Sequence, residues 1–203
     1  CDVSTLSEAV NCMRQPHYLS LVRSPLCLLR EDKQFIYAEG NGFSYKFSKQ
    51  LGTVVGICFD GEEQLLSPVF LTAHRAPTDN ERAMQYRWNR MNEWQGENLD
   101  YTFNKTYDVT VRENVIYARC SLAGVSRRPF FGYELNMCVT EHGELLLGVH
   151  GDVAEDCCPL PRLGFEFVLP PYVREFDYFG FGPGQSYSDM YHHAALGSYH
   201  SST

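Results

Sequence analysis

Two dipeptides, Asn80-Glu81 and Asn92-Glu93, set an amide beside a carboxylate, the arrangement through which many sugar hydrolases present a general acid. The retaining version of that chemistry needs two carboxylates facing each other across a sugar, about 5 Å apart. Acidic residues are plentiful, yet no spacing singles out a pair, and both dipeptides fall in a helix-like insertion rather than at a strand end. The other familiar constellations are missing: there is no G-x-S-x-G elbow, no phosphate-binding loop, no H-E-x-x-H and no dinucleotide fingerprint. His192-His193 with His200 offers imidazoles for a metal, but neighbours on a strand point to opposite faces and no carboxylate partner is fixed by spacing. No catalytic residue and no metal ligand is therefore assigned to this chain.

The stretch Arg75-Ala-Pro-Thr-Asp-Asn-Glu81 interrupts strand-like sequence. Thr78 with Glu81 three positions later has the form of a capping box, with Asp79 as a competing cap, so the stretch reads as a helix start. Met84, Trp88, Met91 and Gln95 then form one stripe of a helix over residues 79–95. Arg75 is expected to pair with Asp79 or to cap a carbonyl. Further on, "GFGPGQSY" (180–187) is glycine-rich, but no lysine or helix start follows it, so it reads as a tight bend. The surrounding Phe176, Tyr178, Phe179, Phe181, Tyr187 and Tyr191 read as a core stripe, with a sugar-stacking platform as the rival reading.

The elements that must position these residues are strands. From Gln34 apolar and polar residues alternate between Gly40-Asn41-Gly42 and Asp60-Gly61, the marks of successive hairpins. In "FGYELNMCV", Phe131, Tyr133, Leu135, Met137 and Val139 share one face, while Glu134 and Asn136 share the other. "EHGE" turns the chain into Leu145, Leu147 and Val149, and two more strands flank Pro170-Pro171. About ten strands and one helix predict an all-β antiparallel sandwich. Residues 1–33, broken by Pro16 and Pro25, read as a linker or the tail of a preceding domain, and the β domain is expected over 34–203.

Composition bounds the class. The 203 residues suit one large domain, and 44% apolar with 14% aromatic residues supply a packed core. A net charge of −8 without a long basic cluster excludes a nucleic-acid footprint. No apolar run is long enough to span a membrane, and no signal-peptide order opens the chain. Cys1 at the start, in place of Met, points to an excised piece. The eight cysteines contain no C-x-x-C, and Cys58, Cys120 and Cys138 fall inside strand-like runs, so they are expected to be reduced and the chain cytoplasmic.

Three motifs then combine. Arg75-Ala-Pro-Thr-Asp-Asn80, Leu160-Pro-Arg-Leu-Gly164 and Gly180-Phe-Gly-Pro183 with Tyr187 and Asp189 occur in an order that resembles the C-terminal small-chain domain of glycoside hydrolase family 2 β-galactosidases, over about residues 35–203. The resemblance implies an antiparallel supersandwich, similar to galactose mutarotase folds, and catalytic glutamates in a separate barrel. It also implies that residues 75–86 line or cover the sugar pocket, with Arg75, Asp79, Asn80 and Glu81 as substrate-binding residues. No cofactor is implied for this chain, although the family often holds Mg and Na ions elsewhere. The implied partners are a β-galactoside, the barrel and other domains of the parent chain, and further copies in a homo-oligomer, with no nucleic acid and no membrane. Glu81 stands where the family has aspartate, Gln185 where it has glutamate, and Met190 where it has arginine. The chain ends before the family's late sugar-packing tryptophan, which implies an incomplete sandwich.

The expected function is thus the wall or lid and scaffold of a retaining β-galactosidase, inactive without its barrel. The first rival is a stand-alone carbohydrate-binding module using the aromatics of 176–191. The second is a mutarotase-like epimerase, which would need an acid partner for His74, His142 or His150.

Overall fold

The computed structural model describes residues 24–78, 81, 90–184 and 191–202. Among them almost every element is a strand. β1 (Leu29–Glu31), β2 (Phe35–Gly40), β3 (Phe43–Ser48), β4 (Thr53–Phe59) and β5 (Glu62–Glu63) form one antiparallel sheet in that order. After β6 (Phe70–Thr72) and the helix α1 (Arg90–Gly96) come β7 (Thr102–Arg112), β8 (Val115–Gly124), β9 (Pro129–Val139) and β10 (Leu145–Val153), a second antiparallel sheet in chain order. β11 (Gly164–Glu166) returns to pair with β6. The chain falls into two compact units, one ending at Val168 and one starting at Leu169.

The turns follow from residue type. Asp60 and Gly61 both adopt positive φ (49° and 86°) between β4 and β5, the mirror-image turn that Asp-Gly favours because its twist matches that of the strands. Glu113 and Asn114 make the same kind of turn (50° and 60°) between β7 and β8 without a glycine, a hairpin that the sequence signals only weakly. Gly143 (85°) closes the expected "EHGE" turn into β10.

The first unit is a sandwich, as expected. Ile36, Ala38, Phe47 and Val54 from the first sheet share one buried cluster with Ile116, Ala118, Leu122, Leu135 and Met137 from the second. β9 alternates as read from sequence, with Phe131, Tyr133, Leu135, Met137 and Val139 buried and Glu134 exposed. Burying a side chain of this size contributes about 1.5–3 kcal/mol, so facing rows of this kind dominate the stability. Polar ties cross the layers: the Tyr45 hydroxyl donates to the Gly143 carbonyl at 2.6 Å, and the Tyr133 hydroxyl donates to Asn104, whose amide donates to the Leu71 carbonyl at 3.2 Å. Burial pushes the Tyr133 hydroxyl far above its ordinary range, so it stays a neutral donor.

Residues 24–33 belong to the first unit's packing. β1 pairs with β2, Leu26 bridges to Thr140, and Cys27 is buried in the core. The described cysteines are free, with Cys120 and Cys138 buried inside strands as small hydrophobes.

The second unit contains a hairpin of β12 (Glu175–Gly182) and β13 (Ala195–Ser202), preceded on the β13 side by a short 3-10 turn, Tyr191–His193. Here the core-stripe expectation is corrected: Phe176, Phe179 and Phe181 are 47%, 72% and 46% exposed. A two-stranded ribbon has two faces and no second layer of its own to bury them. Tyr187 lies outside the described residues.

Candidate functional site

The site is built on the loop after β6. The Arg75 guanidinium forks onto Glu81, with Nη1 donating to Oε2 and Nη2 to Oε1, both at 2.7 Å. Its Nε donates to the Pro161 carbonyl at 3.1 Å, and Nη1 also reaches the Ala76 carbonyl at 3.1 Å. The side chains of Arg75 and Glu81 are only 10% and 23% exposed. A parallel two-bond fork of this kind is among the stronger polar contacts, and its planarity fixes orientation as well as distance. The acid that Arg75 engages is Glu81, where the sequence pointed to Asp79, which lies outside the described residues; the expected carbonyl cap is found at Pro161. The first two sequence motifs meet here, because Pro161 lies in Leu160-Pro-Arg-Leu-Gly164.

Glu81 also completes the capping box. Its Oε2 accepts from the Thr78 backbone N–H at 2.7 Å, and its own N–H reaches the Thr78 hydroxyl at 3.4 Å. The hydrogen bonds from Arg75, and then those from Thr78, hold the Glu81 carboxyl down at about 2, against an ordinary value of 4.5. A carboxylate that is ionised and doubly engaged cannot supply a proton to a leaving group, so Glu81 is a brace and not a general acid. Asp79 and Asn80 lie outside the described residues, as do Met84 and Trp88.

The far end of the insertion is α1, and it ends in a recognisable cap. Asn98 takes the left-handed conformation (φ 53°), the Leu99 N–H reaches the Trp94 carbonyl at 3.0 Å, and the Asn98 N–H reaches the Gln95 carbonyl at 3.1 Å. That is the Schellman pattern, accompanied by the usual apolar contact, since Trp94 and Leu99 both sit in the core cluster. Trp94 is the inward residue of this turn and Gln95 is exposed, so the stripe read from sequence is corrected by one position at its end. The indole pins α1 to the same strap that Arg75 holds: Nε1 donates to the Pro159 carbonyl at 3.0 Å, and the Arg75 guanidinium lies 5.6 Å from the ring centre. At Gly124 an added Cβ would sit 1.9 Å from the Glu97 carbonyl oxygen, so only glycine lets the helix end close on β8.

Between the loop and α1 lies a cleft of about 160 Å³ lined by His74, Pro77, Trp94, Gln95 and Asp100. His74 and Asp100, far apart in sequence, both line this cleft, which the sequence pattern does not reveal because neither stands in a recognisable motif. Of the remaining sequence candidates, Glu93 is exposed on α1, and His200 meets Asp177 at 3.0 Å within the β12–β13 hairpin. Among the described residues no three of His, Cys, Asp and Glu converge as a metal cage. No described helix is long and apolar enough to cross a membrane.

Fold and loop together define an all-β antiparallel sandwich domain in which Arg75 is ion-paired to Glu81 and α1 is tied to the strap at Pro159. Residues 39–203 match the family described as the β-galactosidase small chain, and the chain belongs to that family. It is 26% identical to the β-galactosidase of Actinobacillus pleuropneumoniae over 176 residues, 85% of this chain and 17% of that protein. Against the β-galactosidase of Psychromonas ingrahamii the figures are 27% over 208 residues, 92% and 19%. Against that of Clostridium acetobutylicum they are 28% over 171 residues, 82% and 18%. The chain spans less than a fifth of the length of each of these relatives.

Proposed function

We propose that this chain is the C-terminal domain of a multidomain cytoplasmic β-galactosidase, over about residues 34–203 together with the strand β1 that pairs onto it, with the segment before residue 24 a linker or tail. In this reading its loop 75–86 forms part of the wall or lid of the galactoside site, and the sandwich is a scaffold against which the catalytic domain packs. The reaction is retaining hydrolysis through a covalent glycosyl-enzyme, with the acid/base and nucleophilic carboxylates supplied by a barrel elsewhere in the parent. The observation that carries the reading is the bracing of the loop. Arg75, Glu81, Thr78 and the Pro161 carbonyl fix the chain on both sides of positions 79 and 80, more constraint than a helix start requires. A helix cap needs Thr78 and Glu81 alone, whereas the partly buried guanidinium ties the loop to a strap more than 80 positions away in sequence.

The test compares Asp79→Ala, Asn80→Ala and Arg75→Ala in the parent enzyme by melting temperature and kcat/KM. If the loop lines the sugar pocket, Asn80→Ala weakens transition-state binding by about 1–3 kcal/mol, roughly 5- to 150-fold in kcat/KM, with melting almost unchanged. Arg75→Ala lowers both, because it holds the loop and supports the fold. A lowered melting temperature with unchanged kinetics for Asp79→Ala and Asn80→Ala would leave the stretch as a cap and nothing more.

A further inference from the structure

The second sheet has a face that the sandwich core does not use. Val109, Ala118, Leu135 and Val149 stand in register on the core side, as do Val111, Ile116, Met137 and Leu147. Alternation therefore sends the intervening residues to the opposite face. Across it runs a row of ionisable side chains in direct register: Asp108 on β7, Arg119 on β8, Glu134 on β9 and His150 on β10. Thr110 and Tyr117 pair in the next row, and Arg112 lies beyond them near the β7–β8 turn. Asp108, Thr110, Arg112, Tyr117, Arg119 and Glu134 enclose a depression of about 190 Å³.

Ionisable groups in adjacent register usually close onto each other, because cross-strand neighbours stand about 5 Å apart at Cβ. Here, among the described residues, no ion pair joins Arg112 or Arg119 to Asp108 or Glu134. The guanidiniums lie instead over aromatic rings, Arg112 5.9 Å from the centre of Tyr117 and Arg119 5.8 Å from that of Tyr107. Both arginines and both carboxylates thus line the depression without closing onto one another.

The composition of that space selects its occupant. Two guanidiniums and two carboxylates sum to zero, so an anion would meet Asp108 and Glu134, and a cation would meet Arg112 and Arg119. A ligand rich in hydroxyls satisfies both sets, since each hydroxyl donates to a carboxylate while its oxygen accepts from a guanidinium. The volume, well under the ~300–1,000 Å³ of drug-sized sites, fits one small ring. From these observations we infer that this sheet face is a binding site for a single neutral sugar ring, separate from the Arg75 loop and independent of the role proposed for that loop.

The experiment titrates the full chain with methyl β-galactoside and with methyl β-glucoside, followed by ligand-observed NMR, in parallel with Arg119→Ala and the isosteric Glu134→Gln. Both positions are exposed, and melting curves confirm that the variants stay folded. The expected result is weak binding of at least one neutral glycoside, with a Kd of ~1 mM that rises at least about tenfold in each variant. Added salt should leave the affinity unchanged, because the ligand carries no charge. Binding that survives both substitutions would place the sugar elsewhere and overturn the inference. So would the absence of glycoside binding, or inorganic phosphate binding more tightly than either glycoside, which would make the depression an anion site.

Discussion

At the scale of single residues, Glu81 shows how an apparent acid/base candidate becomes structural. Beside Asn80 it looks like half of a sugar-hydrolysing dipeptide, but the Arg75 fork and the Thr78 N–H occupy its oxygens. Because its carboxyl is held at about 2 in the folded chain, against an ordinary 4.5, folding favours the ionised form. The stabilisation is fully present above about pH 4.5 and is lost as pH falls toward 2. Glu81→Gln is expected to lower stability at neutral pH by about 1–3 kcal/mol, the scale of a charged hydrogen bond at a partly buried site. The loss should shrink toward zero as pH approaches 2, where the native carboxyl is itself becoming protonated. Urea midpoints for both proteins across that range check this, and parallel curves would show that the fork contributes nothing that depends on ionisation.

At the scale of elements, the insertion is defined by its two ends. Thr78→Ala removes the hydroxyl half of the capping box and should cost about 0.5–2 kcal/mol, while Thr78→Ser, which keeps the oxygen, should cost little. At the other end Asn98 sits in the left-handed region, where only glycine, asparagine and aspartate are at ease. Asn98→Gly should therefore be close to neutral, although it gives up the side-chain bond to the Val125 carbonyl at 2.8 Å. Asn98→Val should cost about 1–2 kcal/mol, because a β-branched side chain meets the following carbonyl in that conformation. Thermal melts of the four variants separate the two caps. Equal effects of glycine and valine at position 98 would mean that the cap geometry is not what ends α1.

At the scale of the whole molecule, the chain covers less than a fifth of each related β-galactosidase, and its second unit leaves three phenylalanines of β12 widely exposed. Glycoside hydrolysis by the retaining route needs an acid and a nucleophile about 5 Å apart across the scissile bond. Glu81, an acid within the loop proposed as the pocket wall, is engaged by Arg75. The isolated chain is accordingly expected to show no turnover of a chromogenic β-galactoside above the buffer rate. Activity that survives repurification and disappears on changing one acidic residue of this chain would place the catalytic centre here after all.

The local rules that operate over a few residues were legible in the sequence. Period-two alternation named the buried face of β9, Asp60-Gly61 and the "EHGE" turn closed their hairpins, and Thr78 with Glu81 marked the capping box. In each case the deciding contact lies within a strand, a turn or one helical turn, so sequence spacing and spatial spacing coincide. The family was legible too, because three short motifs kept their order. What joins distant segments was decided only by the tertiary structure. The Arg75–Pro161 and Trp94–Pro159 ties, the placing of His74 and Asp100 in one cleft, and the open row of Asp108, Arg119 and Glu134 all depend on which segments pack together and in which register. The exposure of Phe176, Phe179 and Phe181 was equally hidden. Alternation says which residues share a face, but whether that face is covered depends on a second layer that no local pattern specifies.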